Sequence, residues 1–188
     1  MAHRIKNVFA VVAALASASA RGYPEAAAFV QVFRDRITAL GRANDYVRAN
    51  ENGEQARAGT VHGLVRLLLA PYDGSVLVTG DDAPLGGKAA AALALILHEQ
   101  ATNAVKYGAL SREAGRVIVE GEKVGDAFRI TWRELGGPAI AGPPATNGFG
   151  TLLGDRTAKG ELGGDIVRGW APEGLTAAIT VPQTELSR

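Results

Sequence analysis

The stretch that decides the fold is residues 98–111, HEQATNAVKYGALS. Drawn as a helix, it places three polar side chains on one narrow face: Glu99, Asn103 and Lys106. Leucine and alanine side chains fall on the opposite face, which predicts a buried core behind the polar one. A carboxylate can act as a base, an amide oxygen suits Mg²⁺, and an ammonium suits a phosphate. A plainer interpretation of this face alone is a solvated surface with a charge pair at i, i+7.

Two glycine-containing loops downstream give this helix a context. Gly136-Gly137 follows the sequence Trp132-Arg133-Glu134 at the end of a predicted strand, and residues 148–151, GFGT, lead into a predicted helix. Glycines let backbone N–H groups approach a phosphate closely, and a helix N-terminus attracts its charge. Each loop alone is weak evidence, because turn glycines are common. Together with the polar helix face they predict a nucleotide site.

The N-terminal quarter of the chain has a helical pattern. Residues 1–50 predict two helices joined by a short turn, an antiparallel helical hairpin. Such a hairpin exposes apolar stripes that it cannot bury alone, so pairing of two hairpins into a four-helix bundle, and hence a homodimer, is expected. The polar residues 51–55 mark a linker, and we place the boundary between the hairpin and the next domain at residues 58 and 59.

The remainder of the chain alternates helical and strand patterns. This order predicts an α+β fold in which the hairpin, residues 1–58, precedes an α/β sandwich, residues 59–188. The predicted helices cover 61–70, 89–107 and 151–159, and the predicted strands cover 75–79, 116–121, 127–132, 165–170 and 175–181.

Composition excludes several classes of function. The 188 residues include 20 basic and 19 acidic ones, a net charge of +1, so no nucleic-acid or anionic-membrane partner is expected from bulk charge. The chain has no cysteine, which excludes disulfides, zinc–thiolate sites and thiol nucleophiles. Only three histidines are present, so a histidine-rich metal centre is not expected.

The first twenty residues have two interpretations. A basic start, an apolar run and the small residues 17–20 resemble a secretory signal. The same residues also have the spacing of an amphipathic helix. The segment is too short to cross a membrane, and we expect no membrane span elsewhere in the chain.

The residues around the polar helix resemble a known family. The stretch 98–111 closely resembles the N box of the HWE sensor histidine kinases, and four further motifs occur in the family order. They are HRIKN at 3–7, similar to the phosphoacceptor motif; WRE at 132–134, which matches Trp-x-Glu; ELGGP at 134–138, similar to the adenine-binding box; and GFGT at 148–151, similar to the second glycine box.

The resemblance implies a fold, two cofactors and roles for five residues. The fold is that of the gyrase, Hsp90 and histidine kinase ATP-binding domains, and the cofactors are ATP and Mg²⁺. His3 would be the phosphorylated histidine, and Glu99 would polarise the reacting groups. Asn103 would coordinate Mg²⁺, Lys106 would meet the phosphates, and Tyr107 would flank the nucleotide.

Further site residues follow from the same resemblance. Glu134 would stand against the adenine amino group, where the wider superfamily uses an aspartate. Three glycines would shape the pocket, namely Gly136, Gly148 and Gly150, and Thr151 would lie beside the last of them. Residues 138–147 would form a short lid. For His98 and Trp132, we expect a packing role at least as much as a direct contact with the nucleotide.

The family's activity is the function that we expect. It is a histidine autokinase of a two-component system that transfers the γ-phosphoryl group of ATP to His3 and then to an aspartate of a response regulator. A histidine phosphotransfer protein with a degenerate ATP-binding domain is the alternative. The upstream sensor domain is expected to lie outside this chain. A cytoplasmic location is expected, because a periplasmic domain would have no ATP to bind.

Overall fold

The computed structural model describes residues 2–51, 59–146 and 148–188, and their side chains apart from those of 2–6, 50 and 51. The described residues contain six α-helices: α1 (Ala2–Ser19), α2 (Ala27–Glu51), α3 (Val61–Leu69), α4 (Gly87–Lys106), α5 (Phe149–Leu162) and α6 (Gln183–Leu186). They also contain seven strands: β1 (Gly59–Thr60), β2 (Val76–Gly80), β3 (Pro84–Leu85), β4 (Arg116–Val124), β5 (Ala127–Leu135), β6 (Asp165–Ala171) and β7 (Gly174–Pro182).

Five of the strands form one mixed sheet in the order β2-β4-β5-β7-β6. The pairing of β2 with β4 is parallel, and the other three pairings are antiparallel. The strands β1 and β3 form a separate two-residue ladder. A helical N-terminal region followed by a mixed sheet with helices is the α+β class that the sequence predicts, and this prediction is confirmed.

Strand β5 shows why one face of the sheet carries the core. Its residues alternate between buried and more exposed positions, as expected for a strand with one buried face. The buried residues are Phe128, Ile130, Trp132 and Glu134. The strand runs three residues beyond the predicted range, because the alternation continues through Leu135. The buried carboxyl group of Glu134 therefore belongs to the core face, at the end of the strand.

Helix α4 lies at the centre of the packing. Alanine side chains cover much of its surface, and they allow neighbouring helices to approach closely. Its neighbours include α2, α3 and α5. On α2, three small or branched residues enter the common core: Ala39, Ala43 and Val47. The second helix of the hairpin thus packs directly against the helix of residues 98–106.

The predicted hairpin is present as α1 and α2, joined by the 3₁₀ turns Ala20–Gly22 and Pro24–Ala26. Pro24 begins the second turn, where its missing N–H group costs no hydrogen bond. The proposed domain boundary at residue 58 lies outside the described residues. The side chain of His3 also lies outside them, although its backbone belongs to α1. None of the described helices is long and apolar enough to span a bilayer.

Candidate functional site

A cavity of about 930 Å³ lies between α2, α4, the loop before α5, the start of α5 and the adjoining ends of β6 and β7. Small-molecule sites usually measure about 300–1,000 Å³. Eight of the residues expected from the sequence line this cavity: Glu99, Asn103, Lys106, Tyr107, Glu134, Gly148, Gly150 and Thr151. The cavity therefore brings together the N-box helix, the acidic end of β5 and the second glycine motif.

The C-terminal turn of α4 presents polar side chains to the cavity. Asn103 is half-buried, whereas Lys106 and Tyr107 are exposed. Neither Asn103 nor Lys106 forms a side-chain hydrogen bond or salt bridge with another described residue. An amide oxygen, an ammonium group and an aromatic ring thus remain available to a ligand at this end of the helix.

Glu99 differs from the solvated polar face that the plainer interpretation predicts. Its Oε1 accepts from Arg36 Nε at 2.7 Å, and its Oε2 accepts from Arg36 Nη2 at 3.0 Å. The side chains of Glu99 and Arg36 are only 10% and 12% exposed. The plainer interpretation is wrong for Glu99, because α2 covers this part of α4 and supplies the opposite charge.

Arg36 also contacts the start of α5. Its guanidinium carbon lies 4.9 Å from the centroid of the Phe149 ring, a cation–π distance. Phe149 is 65% exposed, so it does not anchor the core, and it lies in the cavity wall. Arg36 was missed at the sequence level, because a charged residue within a helical run carries no signal of a partner 63 positions away.

Gly150 permits a close approach between α5 and α4. A Cβ atom at residue 150 would overlap the carboxylate oxygen Oε2 of Glu99. Gly148 precedes the first helical residue and has open space around it. Since the first N–H groups of a helix lack intrahelical partners, the start of α5 can offer donors to an anion in the cavity.

Glu134 is a buried carboxyl group held by two donors. Its Oε2 accepts from the backbone N–H of Ala109 at 2.7 Å, and its Oε1 accepts from Trp132 Nε1 at 3.1 Å. Burial raises the pKa of Glu134, and these two hydrogen bonds oppose the rise. A Cβ atom at residue 108 would overlap Glu134 Oε2, so only glycine fits at this position next to the carboxyl group.

Trp132 and Gly136 lie outside the cavity lining. Trp132 is fully buried and acts through its hydrogen bond to Glu134, which agrees with a packing role. Gly136 adopts φ +71° in the turn after β5, a conformation that favours glycine. Of the three glycines expected to shape the pocket, Gly136 therefore forms the turn after β5 and does not line the cavity.

His98 is half-buried in the cavity wall. Burial lowers the pKa of His98, although the neighbouring carboxylates of Glu99 and Asp35 oppose this shift. A neutral imidazole is therefore favoured at neutral pH. Two further lining residues on β6, Arg168 and Trp170, carry no motif in the sequence that would have indicated them. Arg168 is held by Asp155 of α5, with 2.7 Å between Nη1 and Oδ1.

Solved histidine kinase domains share this architecture. The histidine kinase domain of the EL346 blue-light activated histidine kinase from Erythrobacter litoralis matches with a TM-score of 0.67 and 18% identity, over 99% of this chain and 97% of that one. A longer EL346 structure matches with a TM-score of 0.71 and 15% identity, over 99% of this chain and 59% of that one. These likenesses define the fold as that of a histidine kinase catalytic domain preceded by helices.

Proteins of similar sequence are named histidine kinases. Blue-light-activated histidine kinase 1 of Erythrobacter litoralis (strain HTCC2594) is 36% identical over 186 residues, 96% of this chain and 51% of that protein. A blue-light-activated histidine kinase of Brucella anthropi is 32% identical over 192 residues, 98% of this chain and 38% of that protein. The family model of the HWE histidine kinases matches residues 1–82. The chain is similar to the HWE histidine kinases, and it spans about half or less of the length of these relatives.

Proposed function

We propose that this chain is the catalytic core of a histidine autokinase that transfers the γ-phosphoryl group of ATP to His3. The observation that carries the proposal is the single cavity shared by the N-box helix, Glu134, the start of α5 and hairpin helix α2. Relatives over nearly the whole chain are named histidine kinases, which supports the same activity. The alternative of a phosphotransfer protein with a degenerate ATP domain finds no support in these relatives.

The adenine is proposed to lie at the Glu134 end of the cavity. Each carboxylate oxygen of Glu134 accepts one hydrogen bond, so each retains a lone pair for the amino group of adenine. The glycine at 108 leaves the backbone close to this carboxyl group. Tyr107, 73% exposed beside the cavity, would flank the base or ribose.

The phosphates are proposed to lie along α4 toward its earlier turns. Lys106 would neutralise phosphate charge, and the N–H groups at the start of α5 would donate to phosphate oxygens, near Gly148, Gly150 and Thr151. No group of three or more histidine, aspartate or glutamate side chains suited to a metal occurs within the described ranges. The amide oxygen of Asn103 is the donor in the cavity that fits Mg²⁺, and phosphates and water would complete the coordination shell.

The reaction would form a bond from an imidazole nitrogen of His3 to the γ-phosphorus and break the bond to the ADP oxygen. The proton of the second imidazole nitrogen would pass to solvent water, and Mg²⁺ held by Asn103 would supply charge neutralisation at the phosphates. The chain's own groups orient the nucleotide and hold its charge. Glu99 is proposed to polarise the reacting groups through Arg36, whose guanidinium donates to both of its oxygens.

Two partners extend the proposal. The phosphoryl group would pass from His3 to an aspartate of a response regulator, as expected for a two-component kinase. A second copy of the chain would cover the apolar residues that α1 exposes, Val8, Val11 and Leu15. We place the reaction in the cytoplasm, where ATP is available.

Incubation with Mg²⁺ and γ-labelled ATP tests the proposal. We expect acid-labile, alkali-stable label on the unmodified chain and its loss in His3→Ala and Asn103→Ala. The two variants separate acceptor from nucleotide site, since only Asn103→Ala should also weaken ATP binding. Retention of label in His3→Ala would contradict the assignment of the acceptor, and failure of the unmodified chain to bind ATP would contradict the proposal as a whole.

A further inference from the structure

The guanidinium of Arg36 has donors left over in the cavity wall. An arginine side chain carries five N–H donors in a fixed planar fork. Glu99 takes two of them, one from Nε and one from Nη2, which leaves three. Those three have no partner among the residues that the structure describes, although Arg36 lines the cavity and is largely shielded from solvent.

The position of this guanidinium is fixed from two sides. The two parallel hydrogen bonds to Glu99 set the plane of the fork, as in bidentate arginine–carboxylate pairs. The Phe149 ring lies against it at 4.9 Å. Gly150, whose Cβ would overlap Glu99 Oε2, lets α5 close on the other side of the pair. The remaining donors are thus preorganised and need no rearrangement to meet an anion.

The location along α4 indicates which part of a nucleotide would meet these donors. Helix α4 ends at Lys106, seven residues after Glu99 or about 10 Å along the helix axis, and Gly108 lies just beyond its end. Gly108 borders Glu134, where the adenine is proposed, so Arg36 marks the opposite end of the site. Asn103, the proposed Mg²⁺ ligand, lies one turn from Glu99 on the same face. An anionic group that reaches Arg36 is therefore the terminal part of the triphosphate.

We propose that Arg36 is a phosphate-binding residue that hairpin helix α2 contributes to the nucleotide site, and that Glu99 is its positioning residue. This inference rests on the proposed function, because it takes ATP as the ligand. It adds a consequence for regulation: the triphosphate bridges α2 and α4, so ATP affinity depends on how the hairpin lies against the ATP-binding domain. Any signal that moves α2 would change the affinity for ATP.

Paired titrations of the full chain with Mg²⁺–ATP and with adenosine test this inference. NMR monitors both titrations, so that weak binding is also measured. In Arg36→Ala we expect the affinity for Mg²⁺–ATP to fall about tenfold or more, as for the loss of a charged hydrogen bond. Adenosine affinity should stay unchanged, because adenosine lacks phosphates. Arg36→Lys should lose less, since it keeps the charge without the fork. The matched control is Arg34→Ala, an exposed arginine on the same helix, which should change neither affinity.

A double-mutant cycle tests the part assigned to Glu99. If Glu99 acts through Arg36, Glu99→Ala should weaken Mg²⁺–ATP binding in the unmodified chain and add nothing in Arg36→Ala. Unchanged ATP affinity in Arg36→Ala would overturn the inference. Equal losses of ATP and adenosine affinity in both Arg36 variants would also overturn it, because they would indicate a structural clamp. If the unmodified chain binds adenosine but not ATP, the inference fails while the adenine site stands; if it binds neither, the proposed function fails with it.

Discussion

Trp132 donates its indole N–H to the carboxyl oxygen of Glu134 at 3.1 Å, two residues away on the same buried face of β5. The side-chain period of two in a strand puts both residues on one face, and the residue between them, Arg133, is exposed. The Trp-x-Glu pattern is therefore one structural unit, in which the tryptophan buries and orients the carboxyl group proposed to meet adenine.

Removing the indole N–H should cost both stability and nucleotide affinity. In Trp132→Phe, Glu134 Oε1 loses its donor and a small cavity forms, so we expect the free energy of unfolding to fall by about 2–4 kcal/mol. Urea denaturation measures this loss, and an ATP titration should show weaker binding. Phe128→Leu, on the same face of β5 and away from Glu134, is the control that loses stability without losing ATP affinity. Equal ATP affinities in the two variants would contradict the role given to Trp132.

The raised pKa of Glu134 predicts how stability depends on pH. Between the ordinary value of 4.5 and the raised value, the folded state binds more protons than the unfolded state. The contribution of this group to stability therefore falls as the pH rises through that window. Glu134→Gln has no such titration, and it loses one acceptor for the donors of Ala109 and Trp132.

Urea denaturation of the unmodified chain and Glu134→Gln from pH 4 upward checks this linkage. We expect the unmodified chain to be more stable at low pH and its advantage to shrink as the pH rises. An advantage that grows with pH would mean that hydrogen bonding lowers the pKa of Glu134 more than burial raises it.

Two glycines of α5 give a matched pair of substitutions. Gly150→Ala puts a methyl group into Glu99 Oε2, so either the start of α5 shifts or the Arg36–Glu99 pair opens. We expect the affinity for Mg²⁺–ATP to fall about tenfold through the loss of one charged contact. Gly160→Ala, exposed with open space around it, should instead raise stability by about 0.5–1 kcal/mol and leave ATP affinity unchanged. An unchanged ATP affinity in Gly150→Ala would show that this close approach does not matter for binding.

The exposed apolar residues of α1 predict self-association. Val11 and Leu15 are 56% and 61% exposed, and charges there should disrupt a four-helix bundle while leaving the fold intact. Sedimentation equilibrium should give a dimer for the unmodified chain and a monomer for Val11→Glu with Leu15→Glu. Val167→Glu, equally exposed on β6, is the control that should remain dimeric. A monomeric unmodified chain would contradict this prediction.

Much of the fold could be predicted because its signals are local. The period of two in β5 and the helical spacing of residues 89–107 each predicted an element whose extent the structure confirms to within three residues at each end. The polar side chains Asn103 and Lys106 could be assigned to a cavity for the same reason, since a single helix fixes which residues share a face.

The residue roles that the sequence did not predict depend on contacts between segments that are distant in the chain. Glu99 was expected to polarise the reacting groups from the polar face of α4, but α2 covers it with Arg36, and no local pattern records that pairing. Gly136 and Gly150 look alike in sequence, yet one holds a left-handed turn and the other admits a neighbouring carboxylate. Such roles depend on tertiary packing and could not be separated from sequence spacing alone.

An NMR titration of the ¹⁵N-labelled chain with Mg²⁺–ATP tests whether the nucleotide binds between α2 and α4. We expect the largest amide shifts at Asn103, at residues 108 and 109, at Gly150 and at residues 31–36 of α2, because these surround the proposed nucleotide. Shifts confined to other parts of the chain, or no shifts at saturating ATP, would contradict an ATP site between the hairpin helix and the N-box helix.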